Sequence, residues 1–158
     1  MYEKSIDLLN KAVADKLSTI HQYQYFRFRC DDQGLDMLEG LFKNTAMAEI
    51  HHVEKLSERI LSLNGDVDMN SSTEINKIKS VKEMLELARE MEKGSMKDHY
   101  LHAHECASIA DVVTKQLFEK LVSDEEKHFR QYETELENIK KFGDSYLALQ
   151  SVERSNNR

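Results

Sequence analysis

Two Glu-x-x-His elements stand at equivalent places in this chain, Glu49-Ile50-His51-His52 and Glu125-Glu126-Lys127-His128. The shift that carries one onto the other also carries Cys30 to Cys106 and Leu41-Phe42 to Leu117-Phe118. On a helix, Glu at i and His at i+3 share a face, so a carboxylate oxygen and an imidazole nitrogen can point at one ion. That pair of donors suits iron, manganese or zinc. A two-metal site inside a helical bundle needs one such pair and one further carboxylate from each half of the chain. Glu92 supplies the further carboxylate of the second half, and its counterpart in the first half is Lys16. The candidate ligands are therefore Glu49, His52, Glu92, Glu125 and His128, with Lys16 in the sixth place. Asp15 does not substitute, because adjacent residues lie about 100° apart round a helix.

One Glu-x-x-His element carries little weight in a chain with 29 acidic residues and 7 histidines. Two on core stripes, with a third carboxylate on another, carry far more, because a buried carboxylate needs a partner. The competing reading is a solvated acidic face.

The elements that must position these residues follow from periodicity and caps. Leu9, Lys16, Tyr23 and Cys30 stack at seven-residue spacing on a first helix over about 3–30. Asp31-Asp32-Gln33-Gly34 is turn chemistry, and Asp36-x-x-Glu39 resembles a capping box opening a second helix over about 36–63. Asn64-Gly65 supplies a left-handed stop, and the polar stretch 66–79 reads as a long connection. Ser80-x-x-Glu83 caps a third helix near 81, where Leu85, Glu92, His99, Cys106 and Val113 share a stripe. Ser108-x-x-Asp111 is the only candidate cap for a fourth helix, which runs to Lys141 with Gly143 beyond its end. A short tail helix over about 145–152 fits the pattern, with fraying expected over Ser155–Arg158.

Short, long and short connections predict an all-α fold, an antiparallel four-helix bundle with one long crossover. Lys16 and Glu49 lie about 17 and 16 residues from the first turn, and Glu92 and Glu125 flank the second alike, so all four reach one level. Cys30 and Cys106 lie about 14 residues, or roughly 21 Å, from that level. The crossover puts them towards opposite ends, beyond the roughly 7 Å Cα limit of a disulfide. Free thiols are expected within the subunit, and a role between subunits stays open. Tyr23 reads as core packing, with a donor role to the site as the alternative. His99, His102 and His104 read as solvated, with a secondary metal or pore site as the alternative; His21 and His51 fall off the core stripe.

At 158 residues the chain is expected to form a single domain over 1–158 that buries roughly two-thirds of its unfolded surface. It has no proline, 5 glycines and 32% charged residues, which suits long helices. A net charge of −7 argues against a protein that grips DNA phosphates. No apolar run approaches the roughly 18 residues of a membrane span, and no signal-peptide core opens the chain. Two distant cysteines fit a reducing compartment. A soluble cytoplasmic protein without a membrane partner is expected.

The stretch from Ala48-Glu49-Ile50-His51-His52 through Glu58-Arg59-Ile60-Leu61 resembles the second helix of bacterioferritins. Asp124-Glu125-Glu126-Lys127-His128 with Glu133-Thr134-Glu135-Leu136 resembles their fourth, and His21-Gln22-Tyr23 sits where they carry an aromatic past the first-helix ligand. The likeness runs nearly end to end, into Tyr146-Leu147. The cysteines and Asp31-Asp32-Gln33-Gly34 resemble more closely still the Dps-like ferritins of anaerobic bacteria, the thioferritins. The resemblance implies a homo-oligomeric hollow shell, of twelve subunits rather than twenty-four on the thioferritin likeness. It implies Fe(II) oxidation by O2 or peroxide at an intrasubunit di-iron centre, where Mn or Zn can substitute, and storage of ferric mineral. Glu49 with His52, and Glu125 with His128, would bind or bridge metal, and Glu92 would be a terminal ligand.

Two departures qualify it. Haem-binding bacterioferritins place methionine where Ile50 stands, so no haem is expected. Lys16 stands where the family has its remaining glutamate. Four carboxylates neutralise two divalent ions, whereas three and an ammonium leave two positive charges over, and like charges repel. The expectation is a weak or absent first-helix metal and impaired ferroxidase turnover. The alternative is that Lys16 pairs with Glu49 or Glu125 and holds a metal-free bundle together. A DNA-coating role needs a lysine-rich tail that Met1-Tyr2-Glu3-Lys4 does not provide, and a rubrerythrin-like peroxidase needs an absent Cys-x-x-Cys module.

Overall fold

Left-handed residues end the first two helices. α1 (Glu3–Asp32) stops where Gly34 takes φ 77°, which lets Leu35 N–H reach the Cys30 carbonyl at 2.9 Å. α2 (Asp36–Ser62) stops in the same way: Asn64 takes φ 62°, and Gly65 N–H reaches the Ile60 carbonyl at 3.0 Å. The capping box expected at Asp36 and Glu39 does not form. The turn closes on Leu35, so Asp36 falls inside the first helical turn, and Glu39 Oε1 instead accepts from Arg27 Nε on α1 at 2.8 Å. This structure is a computed structural model describing residues 1–156, with side chains through Gln150.

α3 (Val81–Ser108) opens on the expected cap, with Ser80 Oγ accepting from Glu83 N–H at 3.4 Å. Before α4 (Val112–Phe142) the cap is Asp111 and not Ser108, whose hydroxyl donates back to the Glu105 carbonyl at 2.6 Å. Ala110 is held at φ 61°, a conformation that costs a non-glycine residue about 1 kcal/mol. The buried Asp111 carboxylate offsets that cost. It accepts from Ser5 Oγ at 2.6 Å, Arg59 Nη2 at 2.9 Å and Thr114 N–H at 3.2 Å, tying α1, α2 and α4 together. Val113 accordingly leaves the stripe of Leu85 and Glu92 and is exposed. Asp111→Ala is expected to cost about 2–3 kcal/mol, a lost cap plus a lost charge-assisted bond, measured by denaturant unfolding.

α1 packs along α2 and α3 along α4, and the segment 63–80 crosses between the two hairpins. A polar face of α1 holds that crossover. Gln22 exchanges two hydrogen bonds with the Asn76 backbone at 2.7 and 2.9 Å, and Ser18 Oγ accepts from Ser72 and Thr73 N–H at 2.9 Å. Asn10 does the same lower down, at Asp66 O and Asp68 N–H. The described residues thus form an antiparallel four-helix bundle with one long crossover. α5 (Asp144–Asn156) begins after Gly143 and runs past the expected end at 152, through Ser155 and Asn156; Asn157 and Arg158 lie outside the described residues. The buried Gln150 Oε1 on α5 accepts from Leu38 N–H at 3.3 Å.

Two apolar clusters fill the bundle. One gathers Tyr23, Phe26, Cys30, Phe42, Leu85 and Tyr132; the other gathers Leu9, Val13, Leu56, Ile60, Cys106 and Phe118. Cys30 and Cys106 are free and sit in separate clusters, as the topology required. Burial, with Glu39 nearby, pushes the Cys30 thiol up to about 12, and burial pushes Cys106 up, so neither thiol ionises readily. Among the described residues no helix is long and apolar enough to cross a membrane.

Candidate metal centre

Between the two clusters, all four bundle helices turn a charged side chain inward. Lys16, Glu49, Glu92 and Glu125 are each at most 1% exposed, and His52 and His128 are buried beside them. Charges at such depth persist only when paired or coordinated. Lys16 Nζ lies 2.7 Å from Glu49 Oε2 and also donates to Glu125 Oε1. Both alternatives foreseen for the lysine's partner are realised at once. Burial pulls the Lys16 ammonium down, but Glu49, Glu125 and Glu92 overcome this and hold it above its ordinary value. Burial pulls Glu49 up, yet Lys16 and the two histidines bring it well below the usual carboxylate range. Lys16 and Glu49 therefore face each other as an ion pair.

The remaining groups divide unequally. His52 is engaged at both ring nitrogens, with Nδ1 3.3 Å from Glu49 Oε2 and Nε2 3.0 Å from Asp124 Oδ2; Lys120 donates to the other oxygen of Asp124, Oδ1, at 3.0 Å. On the other side, Glu92 Oε2, Glu49 Oε1 and His128 Nδ1 are buried without a hydrogen-bond partner. His128 Nδ1 lies 3.5 Å from both Glu49 Oε1 and Glu92 Oε1, close enough for charge attraction but short of a well-formed bond. Burial and the neighbouring Glu49 push the Glu92 carboxyl up. Burial alone would push the His128 imidazole down; the Glu49 and Glu92 carboxylates overcome it and raise it to about 9. A raised histidine value stabilises the fold fully below the ordinary 6.5 and loses that contribution as the pH climbs through 9. The metal-free protein is expected to melt at lower temperature at pH 9 than at pH 6.5. A His128→Gln variant should flatten that slope in calorimetry.

Tyr23 combines both roles foreseen for it. It is fully buried against Phe42 and Tyr132, with ring centroids at 6.1 and 5.7 Å, and its hydroxyl donates to Glu92 Oε1 at 2.8 Å. The histidines of α3 are a correction. Only His104 is exposed; His99 and His102 are buried and pack on Phe118 at 5.5 and 5.1 Å. Their burial follows from the stripe that His99 shares with Glu92. His99 Nε2 comes within 3.0 Å of Glu125 Oε1, a contact the heptad spacing foreshadowed and a solvated reading missed. Asp124 was missed as well, since nothing in its spacing separates it from any surface acid. His21 and His51 are exposed, as expected.

A family model described as a ferritin-like domain matches residues 6–142. The chain belongs to the ferritin family. This ferritin is 32% identical over 145 residues to the bacterioferritin of Desulfovibrio desulfuricans, covering 92% of this chain and 81% of that one. It is 30% identical over 141 residues to the bacterioferritin of Brucella melitensis, covering 89% and 88%. The solved structure of the Desulfovibrio desulfuricans bacterioferritin, described with its diiron site in different catalytic states, superposes with a TM-score of 0.91 at 31% identity. That match covers 94% of this ferritin and 86% of the other chain. The bacterioferritin-type bundle expected from the sequence is thus confirmed.

The donors present in this ferritin do not fit two metals equally. Among the described residues, two groups each bring three ligand atoms within 4.8 Å of one another: Glu49 with Glu92 and His128, and Glu49 with His52 and Glu125. The first has free donor atoms. The second is the one whose two carboxylates Lys16 already spans.

Proposed function

We propose that this ferritin is a subunit of a bacterioferritin-type iron-storage shell, built from copies of one chain, whose own centre does not run a two-metal oxidation of Fe(II). The observation that carries the reading is the Lys16 ammonium between Glu49 and Glu125, the two carboxylates a pair of irons would share. An ammonium there repels the second ion and uses the oxygens that would bind it. Iron is the cargo, and the protein's contribution is the enclosure. Twelve copies, a cytoplasmic setting and the absence of haem remain part of the proposal, the first checked by native mass spectrometry of the assembled shell and the last by its visible spectrum.

A second reading, a working ferroxidase using O2 or peroxide, draws on the convergence of Glu49, His52, Glu92, Glu125 and His128 in one core. It requires Lys16 to leave the site when iron enters. Stopped-flow oxidation of Fe(II) by the native chain beside Lys16→Glu separates the two. A slow native chain and a fast variant support the shell reading; equal rates sink it.

A further inference from the structure

The charge arithmetic of the centre is unusual in a way that points beyond a damaged site. Replacing a glutamate by lysine removes one negative charge and adds one positive charge. Removing one divalent ion at the same time restores the balance completely. Three carboxylates, one ammonium and one divalent ion are as neutral as four carboxylates and two divalent ions. We infer that Lys16 serves as a built-in second cation, and that the centre takes one divalent first-row transition ion on Glu49, Glu92 and His128.

Geometry selects that position independently of the charge count. The groups on the Lys16 side are engaged by protein: Glu49 Oε2 and Glu125 Oε1 by the ammonium, and both nitrogens of His52 by Glu49 and Asp124. Glu125 Oε2 is left over there with the ring nitrogens of His99, but among the described residues His99 joins no group of three converging ligand atoms. On the far side, Glu49 Oε1, Glu92 Oε2 and His128 Nδ1 are buried with no hydrogen-bond partner. Buried orphans of this kind are costly, and the three residues that carry them converge from α2, α3 and α4 with ligand atoms within 4.8 Å, which marks a ligand position. Two carboxylate oxygens and one imidazole nitrogen suit Zn(II), Mn(II), Fe(II) or Co(II). Glu92 is further oriented by Tyr23, which occupies its other oxygen at 2.8 Å and leaves Oε2 free. Lys16, by holding Glu49 Oε2, leaves Oε1 to face the ion.

The inference rests on the shell reading and can fail separately from it. The probe is Zn(II), which neither oxidises nor forms a mineral core. Crystals of the metal-stripped native chain soaked in Zn(II) should show one intrasubunit anomalous peak, bounded by Glu49, Glu92 and His128. Titration calorimetry should lose at least tenfold in affinity for that ion in His128→Gln, and Lys16→Glu should show a second peak beside His52. No intrasubunit peak in the native chain would overturn this inference and leave the shell reading standing. A peak among Lys16, His52 and Glu125 would overturn the inference alone. Two peaks in the native chain together with fast Fe(II) oxidation would overturn both. The diffraction experiment uses the unmodified protein, so a variant that fails to fold does not weaken it.

Discussion

Lys16→Met is expected to cost the metal-free protein about 3–5 kcal/mol, the usual range for removing one partner of a buried ion pair. Lys16 is 1% exposed and serves two carboxylates, so its loss takes the ammonium from Glu125 and leaves Glu49 facing only His52 and His128 inside the bundle. Methionine keeps much of the side-chain volume, and the cost therefore reports charge and not a cavity. The pH dependence gives the signature. The ammonium is the largest influence lowering the Glu49 carboxyl; without it, burial is opposed by His52 and His128 alone, and the folded variant is expected to take up protons that the unfolded chain does not hold. Stability then falls as pH rises, and the loss should be larger at pH 8 than at pH 5. Guanidinium unfolding in the presence of chelator, at one protein concentration because assembly contributes, measures it. A loss under about 1 kcal/mol at pH 8 would show that the ammonium is not holding the carboxylates.

Lys16→Glu should raise the initial rate of Fe(II) oxidation by about 100-fold or more. Placing a second metal charge at a reacting centre is worth several kcal/mol, and each 1.36 kcal/mol is a factor of about ten. The variant removes the cation between Glu49 and Glu125 and supplies the sixth ligand of the two-metal pattern. The same change should make folding depend on metal. Without ions, four carboxylates would face one another in the core, so chelator should lower the melting temperature of Lys16→Glu far more than that of the native chain. Activity and metal dependence must rise together. A variant that gains neither would sink the reading in which Lys16 keeps the second metal out.

Much of this was legible in one dimension. Seven-residue spacing placed Lys16, Tyr23 and Cys30 on one stripe and Glu92, His99 and Cys106 on another, and the observed helices keep both. Asn64 and Ser80 ended and opened helices where their side chains allow it. The misreadings share a cause. Asp36 with Glu39, and Ser108 with Asp111, have capping-box spacing, but which residue becomes the cap depends on partners from other helices. Arg27 of α1 claims Glu39, and Ser5 with Arg59 claims Asp111. His99 and His102 were read as solvated because a histidine's polarity is visible locally, whereas Phe118 of α4, which covers them, is not.

By itself the sequence determined the bundle, the doubled Glu-x-x-His pattern, the level at which its ligands meet, and the lysine that interrupts it. Those are properties of helical periodicity and connection length, which act along the chain. Only the tertiary structure decided where each oxygen is spent. Lys16 goes to Glu49 and Glu125 together, Tyr23 to Glu92, and His52 to Asp124, while one face of the centre keeps its donors free. Each pairing joins two helices and is fixed by their separation and rotation to within an ångström. A stripe says which side chains point inward, and packing alone says which of them touch.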